Sequence, residues 1–418
     1  MEYVIIGSSA AGTAAARAII SNDPAGKITM ITMDSGFYSR CQLHLAATGK
    51  RDDDKIFLSL DDLLKSANFK LIPQTKVTGM DVKDKNVILE NGMIISYDKL
   101  LIATGSRTFF PPIPGLTGSR SFGLRNLEDA KAIKELLPCV SCVAIIGAGL
   151  VGVELAGELA EAGINVSLIE VANRPLPLQL EDVCGKKCAD LLEQSGVDLY
   201  LGEMATEVIR DVNGNPQSVE LKSGKSVPAE IVICAAGVRS NIEFTEGTGM
   251  EINRGIVIDT FCRTNVADVY AAGDVAETTD SLTSKNMPSA IWPVAVRQGK
   301  VAGANMSGGE DMLTRNTGMK ASVNVAGTHV VSIGPVTLPE PEWKKYIYRR
   351  TDSSAHERLR IVYIDENKTL RAALLWGDVR NAGLYHEAIV NHRNISDDLK
   401  EIDSLNAAKR GEEELSVI

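Results

Sequence analysis

Gly147, Gly149 and Gly152 carry the clearest chemical signal in this chain of 418 residues. They stand in the spacing G-x-G-x-x-G, after the apolar run CVAII and before LAGELAEAG. The first glycine allows a tight turn, the second lets a pyrophosphate approach the backbone, and the third lets a helix pack close to a strand. The N-terminal amides and partial positive charge of such a helix face the anion. Val151 sits inside this turn, among the residues expected against the ligand. The next apolar run, NVSLIE, ends in Glu170, 18 residues past Gly152, where a carboxylate can accept both ribose hydroxyls. The chain carries the same design once more, near its start. There the turn is Gly7, Ser9, Ala10, Ala11 and Gly12, and Asp34 follows Gly12 by 22 residues. Ser9 stands at the middle glycine and is the smallest substitute that adds a hydroxyl.

These residues need strands and helices to hold them. YVII and CVAII are short β-branched runs, as in strands of a buried parallel sheet. A small-residue helix and a second apolar strand follow each turn. The expected fold class is therefore α/β, with two Rossmann-like dinucleotide-binding domains. Residues past about 317 read differently: apolar strands such as NVAGTHVVSIG, a hairpin RLRIVYIDENKTLRAALLWGD, and a helix near NAGLYHEAIV. They form an α+β unit.

Hydrophobic residues make up 44% and charged residues 23%, which excludes disorder, collagen and coiled coil as the main class. The net charge of −10 opposes binding to nucleic acid. No run reaches the ~20 apolar residues of a membrane span, and no secretory signal is expected. Seven cysteines are sparse and odd in number, so a reducing cytoplasmic setting is expected rather than a disulfide framework. Cys139 with Cys142 and Cys184 with Cys188 lack the paired knuckles of a zinc site, so no metal is expected. Cys41 lies shortly after the Asp34 strand, and His44 follows three residues on, on one face if the segment is helical.

Taken with LLIATGSRTFFPPIPG (100–115), ICAAGVRSN (233–241), VYAAGD (269–274) and AIWPVAVRQGKVAGANM (290–306), the two turns resemble the pyridine nucleotide-disulfide oxidoreductases. These flavoproteins carry FAD and NAD(P)H, and the likeness covers essentially the whole chain. The resemblance implies FAD at the first turn and NADH or NADPH at the second. It implies exits from the two domains at Ala103-Thr104-Gly105 and at Gly237. Asp274, after Gly273, inherits a contact with the ribityl and pyrophosphate region of FAD. Trp292 and Pro293 become flavin neighbours, and Glu154 an acid reaching toward the nicotinamide. The implied domains are 1–112 with 244–316 for FAD, 113–243 for NAD(P)H, and 317–418 for an interface domain supporting a homodimer or a larger complex.

Glu170 favours NADH, because a carboxylate there repels a 2′-phosphate; Arg174 could accommodate one, but a loop salt bridge or a surface position is the favoured reading of it. Cys41 leaves two readings open. Ala46 replaces the second cysteine of the disulfide reductases, so the segment resembles the single-cysteine branch of NADH oxidases, peroxidases and coenzyme A-disulfide reductases. Electrons would then reach a disulfide, peroxide or oxygen, with Cys41 and His44 taking part. Tyr38-Ser39-Arg40 also resembles the Tyr-x-Arg-Pro of rubredoxin reductases and nitrite reductase flavin domains. Arg40 would then lie near FAD, and the chain would exchange electrons with ferredoxin, rubredoxin or an iron–sulfur subunit.

Overall fold

The computed structural model describes residues 1–314, 317–337, 342–351, 357–395 and 414–417. The chain divides into two compact units. One holds residues 1–109, 125–128 and 238–318; the other holds 110–124, 129–237 and the chain from 319 onward.

The first unit is built on a parallel sheet with strand order Val269–Ala271, Lys99–Ile102, Glu2–Ile6, Lys27–Ile31 and Phe69–Ile72. Val4, Ile5 and Ile6 of its central strand are buried, which is why that run is continuously apolar rather than alternating. The chain leaves Ile6 through the glycine turn into the helix Ala10–Asn22, whose inner face is alanine. A second helix, Trp292–Met306, packs along it. The strands that follow the central one in the chain lie on opposite sides of it. This is the switch point at which open α/β sheets bind ligands.

The second unit repeats the plan, with strand order Val197–Leu201, Asn165–Glu170, Cys142–Ile146, Ile231–Cys234 and Ser121–Phe122, again all parallel. Ile146 pairs with Ile169, so the glycine turn and Glu170 emerge at the same carboxyl edge of the sheet. Past residue 319 the sheet is antiparallel. The hairpin Lys320–Val325 with Thr328–Ile333 turns at Ala326 and Gly327, both at positive φ (43° and 85°), as a two-residue hairpin loop requires. The hairpin read around Asp365 to Lys368 joins Glu357–Ile364 to Leu370–Trp376, and the helix Ala382–Val390 follows.

Candidate functional site

In the first unit, Gly7 has φ +114° and its N–H donates to the Ile31 carbonyl at 2.7 Å. A Cβ on Gly12 would lie 1.9 Å from the Gly7 carbonyl oxygen, so the helix can approach the turn only without a side chain there. Ser9 is the N-cap of Ala10–Asn22 through its backbone. Its carbonyl accepts from the Thr13 N–H at 3.0 Å, and its hydroxyl makes no capping bond. Ala10 and Ala11 are buried, and no acid stands in the first turn to oppose an anion.

Asp34 lies beyond the second strand. Its carboxylate accepts from the Tyr38 hydroxyl at 2.7 Å and from Arg40 Nη2 at 2.5 Å. Burial holds the Tyr38 phenol well above its ordinary pKa, so it remains a donor. Arg40 Nη1 also donates to the Arg125 carbonyl at 2.6 Å. The Arg125 guanidinium pairs with Asp274, which also accepts from the Ser106 hydroxyl at 3.1 Å. Asp274 follows Gly273, whose N–H donates to Gln298 Oε1 at 2.8 Å. Arg125 therefore links Asp34, through Arg40, to Asp274 of the Ala-Ala-Gly-Asp turn. No sequence motif marks Arg125. It stands 20 residues past Gly105 with no local pattern, and only the tertiary hydrogen bonds reveal it.

Ala103, Thr104 and Gly105 end the Lys99–Ile102 strand. The Thr104 hydroxyl donates to the Asn241 carbonyl at 2.8 Å, and Asn241 Nδ2 returns a bond to the Thr104 carbonyl at 3.0 Å. The outgoing strand Ser106–Thr108 pairs antiparallel with the returning Val238–Ser240. Trp292 stacks on Phe37 with ring centroids 6.0 Å apart and planes 15° from parallel, and Pro293 occupies the first turn of its helix. This stack seats the segment carrying Cys41 against that helix. Cys41 is exposed in a short 3₁₀ turn, Arg40–Gln42, and His44 belongs to the next helix, Leu43–Ala47. The two do not share one continuous helix, because the backbone breaks at Gln42 (φ −114°). Ala46 is buried, so a methyl packed in the core occupies the second cysteine position.

In the second unit, Gly147 has φ +108°, and a Cβ on Gly152 would lie 2.0 Å from the Gly147 carbonyl. Gly149 caps the helix Leu150–Glu161, and nothing lies within 4 Å of where its Cβ would be, which leaves room for a phosphate. Val151 is exposed in the first turn. The Glu170 carboxylate accepts from the Ala148 N–H and the Ala172 N–H, each at 2.8 Å. Gly237 has φ +106° at the end of this unit. Glu154 accepts from the Asn324 N–H at 3.3 Å, on the hairpin past residue 319. Burial, aided by the Glu158 charge, pushes its carboxyl up to about 7.

Cys142 Sγ lies 3.6 Å from a Glu230 carboxylate oxygen, and burial raises the thiols of Cys184 and Cys188, the latter to about 12. Among the described residues, no three His, Cys, Asp or Glu gather around a common point suited to a metal. No described helix is long and apolar enough to cross a membrane.

The donor sets fit a dinucleotide in each unit. Each offers a side-chain-free turn, helix amides with no acid in the first turn, and a carboxylate at or just past the end of the second strand. The comparisons with known proteins agree. The assimilatory nitrate reductase electron transfer subunit of Bacillus subtilis is 28% identical over 365 residues, which are 87% of this chain and 46% of that protein. The chain thus spans about half of that relative's length. The NADH-rubredoxin oxidoreductase of Clostridium acetobutylicum is 29% identical over 405 residues, covering 97% of this chain and 98% of that one. The NAD-dependent persulfide reductase from A. fulgidus superposes with a TM-score of 0.87 at 25% identity, over 98% of this chain and 79% of that one. The family model for pyridine nucleotide-disulphide oxidoreductases matches residues 1–299, so the chain belongs to that family.

Proposed function

We propose that this chain takes a hydride from NADH into FAD and hands the electrons to an electron-carrier protein of the rubredoxin, ferredoxin or iron–sulfur class. The observation that carries the reading is the doubled glycine turn, complete with its ribose-side carboxylate in each unit. FAD belongs to residues 1–112 with 244–316, NADH to 113–243. Residues 317–418 serve assembly, with a second copy or within a larger complex.

When bound, the flavin accepts a two-electron hydride and can release single electrons. The chain's residues bind and orient. The Ala10–Asn22 amides face the pyrophosphate of FAD, Asp34 its adenosine ribose, and Asp274, held by Arg125 and Ser106, its ribityl side. Gly149 and the following amides face the pyrophosphate of NADH, and Glu170 its ribose. Arg174 pairs with Asp182 at 2.9 Å, which supports NADH over NADPH. A protein acceptor is supported by the rubredoxin-linked relative, alike over 97% of this chain.

A second reading rests on the exposure of Cys41. There the lone thiolate attacks a disulfide or persulfide sulfur, forms a mixed disulfide and expels a thiolate or sulfide. Two-electron reduction of that bond, the chemistry FAD would supply when bound, would release the second thiolate and regenerate that of Cys41. Anaerobic NADH titration of the wild type beside Cys41→Ser, each first treated with a low-molecular-weight disulfide and freed of the excess, separates the readings, because a mixed disulfide on Cys41 would take up two further electrons only in the thiol reading. The protein-acceptor reading expects two electrons per FAD in both proteins and near-normal carrier reduction by the variant. Uptake beyond two electrons by the wild type alone would replace it with the thiol reading.

A further inference from the structure

Arg174 ties the segment between Glu170 and the helix Asp182–Gln194 at three points. Arg174 Nη1 pairs with Asp182 Oδ1 at 2.9 Å, its Nε donates to the Leu180 carbonyl at 3.1 Å, and its Nη2 reaches the Pro177 carbonyl at 3.5 Å. Its aliphatic stem crosses the helix at Gly185, where a Cβ would lie 2.6 Å from Arg174 Cδ. The same segment contains Leu176, fully buried at φ +50°, a left-handed conformation that is costly for a bulky side chain. Its N–H donates to the Ala148 carbonyl at 2.8 Å, inside the glycine turn. Ala148 N–H and Ala172 N–H in turn hold the two oxygens of Glu170.

These contacts form one circuit. The strained Leu176 latches the segment to the glycine turn, and amides from the turn and from the segment aim the carboxylate. Backbone strain of this kind persists only where its surroundings over-determine it. The forked guanidinium, bonded within the segment and to the helix that follows, supplies that constraint. Asp182 and the two carbonyls engage three of the five guanidinium N–H donors and hold the fork within the segment, against the helix that follows.

We propose that Arg174 is a positioning residue for NADH: it clamps residues 172–180 so that Glu170 is presented to the adenosine ribose, and its guanidinium is withheld from a 2′-phosphate. The proposal rests on reading Glu170 as the ribose acid.

Stopped-flow reduction of the FAD-loaded protein by NADH and by NADPH, in the wild type, Arg174→Ala, Arg174→Lys and Gly185→Ala, tests it. Arg174→Ala should raise the apparent Kd for NADH about tenfold, the loss of a few charge-assisted hydrogen bonds, with the limiting rate of flavin reduction within about twofold. Its apparent Kd for NADPH should not rise. Lysine keeps the charge but not the fork, so Arg174→Lys should lie nearer the alanine variant than the wild type. Gly185→Ala keeps the arginine but displaces its stem, and should also weaken NADH. Circular dichroism with a thermal melt reports folding, and if the alanine variant fails to fold the other two carry the test. An unchanged Kd for NADH in all the variants overturns the clamp. So does a selective loss of NADPH binding in Arg174→Ala, which would make the arginine a phosphate ligand. A wild type whose flavin NADH cannot reduce would fell the underlying reading of Glu170, and the clamp with it, and is distinguishable from both.

Discussion

Gly12→Val should yield a protein that no longer retains FAD, whereas Gly152→Val should keep its FAD and lose reduction by NADH. A Cβ at either position would lie about 2 Å from a backbone carbonyl, that of Gly7 in the first unit and that of Gly147 in the second. No flexible side chain can give way there, so the helix must move off the turn. Overpacking of this kind costs about 3 kcal/mol, enough for roughly a hundredfold loss of affinity if it falls on the bound state. Displacing the helix also turns its free amides away from the pyrophosphate. FAD per chain after gel filtration, followed by NADH reduction of whatever flavin remains, reads both outcomes. If the two variants lost the same function, the assignment of one nucleotide to each turn would fail.

Glu170→Ala should weaken NADH on the order of a hundredfold and narrow its advantage over NADPH. The carboxylate would make charge-assisted bonds to two ribose hydroxyls, each contributing about 1.5–3 kcal/mol. Its removal also releases the Ala148 and Ala172 amides, which become donors available to a 2′-phosphate. Steady-state kinetics with both nucleotides tests this. A wild type that prefers NADPH would contradict the role given to Glu170.

What the sequence made legible was local. The two glycine turns could be read because their requirements fall within six residues of each other: a positive φ at Gly7 and Gly147 and no side chain at Gly12 and Gly152. Ser9 could replace a glycine because the cap uses its carbonyl, which every residue has. Parallel strands were legible because burial on both faces leaves unbroken apolar runs. Arg125 was not legible, since it meets Asp274 across 149 residues. The environment of Glu154 was hidden for the same reason: Asn324, which bonds it, lies 170 residues away. The backbone of the segment around Cys41 was not legible either. The sequence put Cys41 and His44 on one face only if the segment is helical, and the backbone breaks at Gln42 and puts the two in separate elements. Arg174 could be noticed from its type and position, yet its partners Asp182 and Gly185 belong to the helix that follows, so its geometry could not be read from the loop alone.

The central claim is that one chain holds both nucleotides and moves a hydride from one to the other. Anaerobic addition of NADH to the purified protein, followed by denaturation and identification of the released flavin, tests it most directly. The account predicts a yellow protein whose flavin is bleached by stoichiometric NADH and released as FAD. Release of FMN, or a bound flavin that NADH leaves oxidised, would contradict it.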